Sequence, residues 1–198
     1  MKKKDESALV RLRPLRSEDA EQVLELLAQD REAVMCMARM PWPLDMKGVL
    51  EWIEGRAGSH WRNLAVLDRR TGQYLGGIGY GLGLDKDSGC GEVGYWIGRP
   101  FWNKGYATDA LRQVLDLARI DGVECLKALL FPANEASVRV LEKCGFQYVE
   151  SLEKDLPLRG GRRMLDVYEL DLAPLALRRA PSEREEPRRT RKTREREE

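Results

Sequence analysis

Histidine is almost missing from this chain: His60 is the only one in 198 residues. Cysteine is scarce, with Cys36, Cys90, Cys125 and Cys144 far apart and no CxxC pair. A tetrahedral zinc site needs converging ligands, so the sequence predicts no metal. The four cysteines read instead as reduced thiols of a cytoplasmic protein, several of them in its core. No apolar run nears the roughly 18 residues that span a bilayer, so no membrane role is expected. The basic start MKKKDESALVRLRPL lacks the apolar region of a secretory signal. Net charge is small as well. The 34 Lys and Arg against 33 Asp and Glu give +1, which alone points to neither nucleic acid nor membrane. Gly77, Gly79, Gly81 and Gly83 are spaced by two rather than as GxGxxG, and GxxxxGK[ST] does not occur. Period two puts these glycines on one face of a strand, where they permit close approach of backbone, side chain or ligand.

What is present reads as one domain with a tail. Residues 8–15 alternate apolar and polar as a strand, and Ser17 then reads as a helix N-cap followed by acidic Glu18 and Asp19. MARMPWPLD, with two prolines, is an irregular connection, and residues 46–56 have helical spacing. NLAVLD and YLGGIGYGLGL form a hairpin, and EVGYWIG is the next strand. A helix runs from about Tyr106 to Arg119, followed by the strand CLKALLF. A short helix after Asn134 stops at Gly145, and two further strands pair across LPLRGGR. This order predicts a mixed α/β (α+β) single domain over residues 8–173, after a flexible start at 1–7. Residues 174–198 are charged and predicted to be disordered. From 178 to 198 there are nine basic and six acidic residues, a net +3 that leaves the rest at −2.

The stretch WNKGYATDAL, residues 102–111, carries the most chemistry. A strand, a short loop with Gly105 and a helix start together make an anion site. The first N–H groups of a helix have no intrahelical partner and point at whatever lies before it. Gly105 lets the backbone approach closely, and Lys104 adds a mobile positive charge. With no Walker loop, the pattern suits a diphosphate held without metal.

YWIGRPFWNKGYATDAL, then a strand and NEASVRVLEKCGF, resembles the GNAT superfamily of N-acetyltransferases over roughly residues 8–172. It is most similar to the RimJ/RimL-type branch, which includes ribosomal-protein N-terminal acetyltransferases, and the opening RLRPLRSEDAEQVLEL fits that branch. The resemblance implies the GNAT fold, with a mixed, mostly antiparallel central sheet flanked by helices, and acetyl-CoA as acetyl donor. The pyrophosphate would rest on the N–H groups from Trp102 to Ala107, that is Trp102, Asn103, Lys104, Gly105, Tyr106 and Ala107. In the wider superfamily the loop reads R/Q-x-x-G-x-G/A. Trp102 departs from that pattern but is usual in the branch. The pantetheine arm would add to the strand at Gly94 to Gly98, involving Tyr95, Trp96 and Ile97, and Asn134 would hold a pantetheine amide.

The implied reaction is direct attack of a neutral amine on the thioester within a ternary complex. An α-amine of pKa about 8 costs only about 1 kcal/mol to deprotonate at pH 7, against roughly 4–5 for a lysine-type amine. One carboxylate acting through water suffices for the former, and Glu92 is the candidate base; the bland alternative is a solvated strand-end glutamate. Many superfamily members use a tyrosine to assist the departing thiolate, but Leu141 stands at that position. Ser137 is the branch's substitute, against a serine that only caps its helix. Met40, Trp42 and the segment GSHW, residues 58–61, fall where this fold meets its acceptor; core or rim packing is the readier reading of each, and solvated surface that of His60.

The expected acceptor is a protein N-terminus such as that of a ribosomal protein. The alternatives are a small amine (polyamine, amino acid or aminoglycoside) or an acyl-CoA-binding sensor without catalysis, which the loss of tyrosine at Leu141 motivates. The tail RRTRKTRER suggests a weak ribosome or RNA contact, diluted by its glutamates. Either a monomer or a homodimer fits the sequence.

Overall fold

The computed structural model describes residues 8–54, 60–81 and 90–172. The predicted tail, the flexible start, Gly83 and the ends of two predicted elements lie outside these residues.

Seven strands form one sheet: β1 (Val10–Pro14), β2 (Trp61–Asp68), β3 (Tyr74–Gly81), β4 (Cys90–Ile97), β5 (Cys125–Leu130), β6 (Gln147–Leu156) and β7 (Gly161–Asp171). Their order across the sheet is β1-β2-β3-β4-β5-β7-β6. Every neighbouring pair is antiparallel except β4 with β5. Among the described residues five α-helices cover the sheet: α1 (Ala20–Leu27), α2 (Arg31–Met35), α3 (Met46–Glu54), α4 (Tyr106–Ile120) and α5 (Glu135–Lys143). The mixed, mostly antiparallel sheet with helices on both faces is the predicted architecture.

Each face has its own core. On one, α4 sets Ala110, Leu111, Val114, Leu115 and Ala118 against Ile78, Val93 and Leu126, and Leu141 of α5 joins them. Their i, i+3, i+4 spacing gives α4 one apolar stripe, and each fully buried aliphatic side chain contributes about 1.5–3 kcal/mol. On the other face Val23, Leu27, Val34, Val49 and Ile53 of α1–α3 cluster on Ala65 and Leu67.

Two local readings are corrected. Ser17 is not the cap of α1 but lies in a 3-10 turn, Ser17–Asp19. There Asp19 accepts the Arg16 N–H at 2.9 Å and is gripped by Arg13 at 2.5 and 2.7 Å. Helix α2 has only five residues, too short for a periodic signal. It is capped by Asp30, whose carboxylate accepts the Ala33 N–H at 3.1 Å.

The thiols differ as well: only Cys36 and Cys144 are free, and Cys90 and Cys125 are joined in a disulfide. These two cysteines lie 35 positions apart in sequence. The crossover through α4 makes them register partners on parallel strands, with Cα atoms 4.6 Å apart. The ligand-bearing atoms of Cys90, Cys125 and Glu169 lie within 4.8 Å of one another, a convergence the spacing does not reveal.

Candidate active site

The site begins where two parallel strands part. β4 pairs with β5 only through Cys90, Gly91 and Glu92, opposite Cys125, Leu126 and Lys127. Beyond Glu92, β4 continues to Ile97 while still paired with β3, and β5 continues toward α5 while paired with β7. From Val93 on, the β5-facing edge of β4 therefore pairs with no strand among the described residues. Its N–H and C=O groups are offered to whatever enters the wedge, and such an edge accepts an extended ligand as an added strand. A cavity of about 600 Å³ occupies this region, a volume ordinary for a small-molecule site.

At one end lies the loop into α4. Gly105 is the N-cap at φ 83°, and Asn103 is also left-handed at φ 60°. The first α4 bond donated back to this cap is Asp109 N–H to the Gly105 carbonyl, 3.0 Å. The N–H groups of Tyr106, Ala107 and Thr108 thus precede the helical ladder and line the cavity end as an anion nest. Phe101, Trp102, Asn103 and Gly105 line it as well. The loop is braced from outside. Trp102 Nε1 donates to the Ile97 carbonyl at 2.6 Å, and Arg99 stacks 4.7 Å from the Trp102 ring while binding Asp30 through two 2.8 Å bonds. Tyr106 donates to Asp68 at 2.8 Å. The Thr71 N–H, the Tyr106 hydroxyl and the Arg70 N–H together hold the Asp68 carboxyl down at about 2. Lys104 is not brought into the cavity. Its ammonium donates to the Pro100 carbonyl at 3.0 Å and sits over Phe101, so the loop backbone rather than the lysine faces the site.

In the wedge, α5 brings Asn134 and Ser137 together. Asn134 is the N-cap and lines the cavity, and its Oδ1 accepts the Ser137 N–H at 3.2 Å. Tyr95 donates to the Ser137 carbonyl at 3.1 Å, and burial pushes its phenol up, so it is a neutral donor. The Ser137 hydroxyl makes no hydrogen bond among the described residues, so it is not consumed in back-bonding to its own helix. Leu141 is fully buried in the α4-side core.

Strand alternation sorts the remaining predicted residues. Tyr95 and Ile97 pack toward α4, whereas Trp96 packs with the α1–α3 core. Only the Trp96 backbone lies along the open edge. Its ring crosses to Gly77 of β3, where an added Cβ would fall 2.8 Å from Nε1. Gly79 and Gly81 likewise make room for Asn63 and Trp61 of β2. The glycine row therefore admits side chains, forming a floor under the cavity's second end. Glu92 stands on this face. Its Oε2 lies 3.7 Å from Arg39 Nη2 and 3.9 Å from Lys154 Nζ, and Arg39 covers the Trp61 ring at 5.3 Å. Met40 is buried and lines this end beside Arg39, whereas Trp42 packs against the α1–α3 core and His60 is exposed.

Arg39, Lys154, Asn63 and the α5 cations Arg139 and Lys143 did not stand out in the sequence, although all but Lys154 line the cavity. Arg139 and Lys143 stand four residues apart on α5, the one signal that was available.

Known proteins share this fold. The family "Acetyltransferase (GNAT) domain" matches residues 10–147. The uncharacterized Bacillus subtilis (strain 168) protein YkkB is 30% identical over 155 residues, covering 73% of this chain and 86% of that one. Mycobacterium smegmatis RimJ in complex with CoA-disulfide superposes with a TM-score of 0.70 at 22% identity, over 82% of this chain and 81% of that one. The Microcin C7 self-immunity acetyltransferase MccE, in complex with acetyl-CoA and AMP, has a TM-score of 0.69 at 20% identity, over 82% and 92%. At those identities the two structures speak for the fold.

Proposed function

The chain belongs to the GNAT acetyltransferase family, and from that premise we propose that it transfers acetyl from acetyl-CoA to the N-terminal α-amine of a protein, such as a ribosomal protein. One observation carries the donor half: β4 loses β5 after Glu92, between an N–H nest at α4 and the Asn134–Ser137 turn of α5. A diphosphate on the nest, an amide-bearing arm along β4 and a thioester near Ser137 match those features in order.

The residues then divide the chemistry. Glu92 takes the amine proton, directly or through water, as nitrogen attacks the thioester carbonyl. The C–N bond forms, the C–S bond breaks, and the Ser137 hydroxyl donates a hydrogen bond to the departing thiolate. With a thiol pKa near 8.5, that sulfur needs only modest help. Ser137→Ala is expected to lower kcat about 10-fold with the acetyl-CoA Kd within twofold of wild type, by steady-state kinetics and calorimetry. Equal turnover removes Ser137 from the reaction.

The acceptor end favours a single ammonium over a polycation. Glu92 already faces Arg39 and Lys154, each within 4 Å, so a polyamine or aminoglycoside would meet two cations around one carboxylate. The deciding experiment is mass spectrometry of acetyl transfer across N-terminal peptides, ribosomal proteins, polyamines, amino acids and aminoglycosides. One acetyl on a peptide α-amine is expected. Transfer confined to small amines overturns the acceptor assignment, and bound but untransferred acetyl-CoA favours a sensor.

A further inference from the structure

Arg159 is a buried cation to which no carboxylate is paired among the described residues; its residue is 8% exposed. It sits in the 3-10 turn Pro157–Arg159 that joins β6 to β7, far in sequence from the catalytic motifs. Its Nη2 donates to the carbonyls of Val34 and Met40, both at 2.7 Å, and to that of Met37, while Nη1 bonds the Leu158 carbonyl at 2.6 Å. Its Nε is buried without a hydrogen-bond partner among the described residues. Burial lowers its pKa, and a guanidinium kept in such a place must be compensated by the carbonyl dipoles around it.

Those carbonyls belong to one feature. Val34 lies in the last turn of α2, where carbonyls run out of intrahelical donors and a cation suits the helix dipole. Met37 and Met40 follow in the segment leaving α2, and Cys36 through Met40 all line the acceptor end of the cavity. Arg39, which meets both Glu92 and Trp61, stands between the two anchored carbonyls of Met37 and Met40. The same hairpin reaches the site a second time, through Lys154 on β6.

We propose that Arg159 is a positioning residue for the acceptor: pinning segment 34–40 from the β6–β7 connection, it sets where Arg39 stands and hence where the amine meets Glu92. The inference rests on the acceptor lying at that end, as in the function above. A purely structural arginine would, on removal, loosen donor and acceptor ends alike; Arg159 acts on the acceptor end alone.

The test uses the full chain with Arg159→Met and Arg159→Lys. Hydrogen exchange is followed at the Cys36 and Met37 amides, which in wild type bond to carbonyls of α2. Exchange there is expected to speed up at least about 10-fold in Arg159→Met with α4 unchanged, and Arg159→Lys should recover part of the protection. The acetyl-CoA Kd should stay within twofold. With the best peptide from the acetyl-transfer panel, acceptor KM should rise about 10-fold while kcat falls less than threefold. Wild-type exchange at Cys36 and Met37, equal acceleration in α4, or a matching loss of acetyl-CoA affinity overturns the proposal. Should Arg159→Met fail to fold, the Lys variant, which keeps the charge but not the fan of donors, carries the same readouts. If the panel returns no acceptor, the function proposal fails on its own, and exchange with acetyl-CoA affinity still decides the role of Arg159.

Discussion

Gly105→Val is expected to weaken acetyl-CoA binding at least about 10²-fold, the largest single loss of donor affinity in the chain. Gly105 caps α4 at φ 83°, ψ −3°. An L side chain there costs on the order of 1–2 kcal/mol, and a β-branched one more. Its Cβ would also stand 3.3 Å from Leu9 Cδ1. The loop relieves both strains by turning Gly105 out of the left-handed region, which scatters the N–H groups of Tyr106, Ala107 and Thr108. Losing two of those charge-assisted bonds, at about 1.5–3 kcal/mol each, exceeds the roughly 2.7 kcal/mol that 10²-fold represents. Gly122→Val is the control. It has nearly the same φ, 78°, and lies in the turn after α4 with open space around its Cβ. Both variants should lose melting temperature, but only Gly105→Val should lose acetyl-CoA in calorimetry. Similar Kd values for both variants would mean that the nest does not hold the diphosphate.

The parts of this site that are legible in the sequence are those made within a few residues. WNKGYATDAL contains the loop, the left-handed glycine and the helix start, so its geometry is local. Asn134 and Ser137 are likewise one capping turn. Glycines at 77, 79 and 81 announce one open strand face, though not which side chains fill it. That depends on register, because Trp96 meets Gly77 only once β3 and β4 are paired.

Contacts of high sequence separation were hidden for the same reason. Arg159 and Met40 are 119 residues apart, and Cys90 and Cys125 meet only through the β4–α4–β5 crossover. Lys104 shows the opposite failure. Its position in the motif suggests a phosphate ligand, yet a flexible four-carbon stem lets it turn back to Pro100. The backbone in such a loop is a better guide than its side chain.

Glu92→Gln should show whether this acceptor end is a base site, and the size of its effect should depend on pH. An α-amine of pKa about 8 is only about one-tenth neutral at pH 7. The wild-type carboxylate passes the proton of a bound ammonium on to bulk water and is free again before attack, whereas the amide must wait for the neutral fraction, a loss of about 10-fold. A positioned base also helps the nitrogen shed its proton as the C–N bond forms, and losing that costs about another 10-fold. The expected deficit is therefore about 10² at pH 7, shrinking to about 10 at pH 9, where the amine is neutral unaided. Glutamine keeps the shape, and the partly exposed Arg39 and Lys154 each lie beyond 3.5 Å from Oε2, so little stability is at stake. Acetyl-CoA affinity should be unchanged because Glu92 lies before the stretch of β4 that opens toward the donor. Rates for the best peptide acceptor across pH 6.5–9.5 decide the matter. A deficit of constant size would leave Glu92 a role in orienting the acceptor without deprotonating it. A variant as fast as wild type would return Glu92 to the status of a strand-end carboxylate held by two cations.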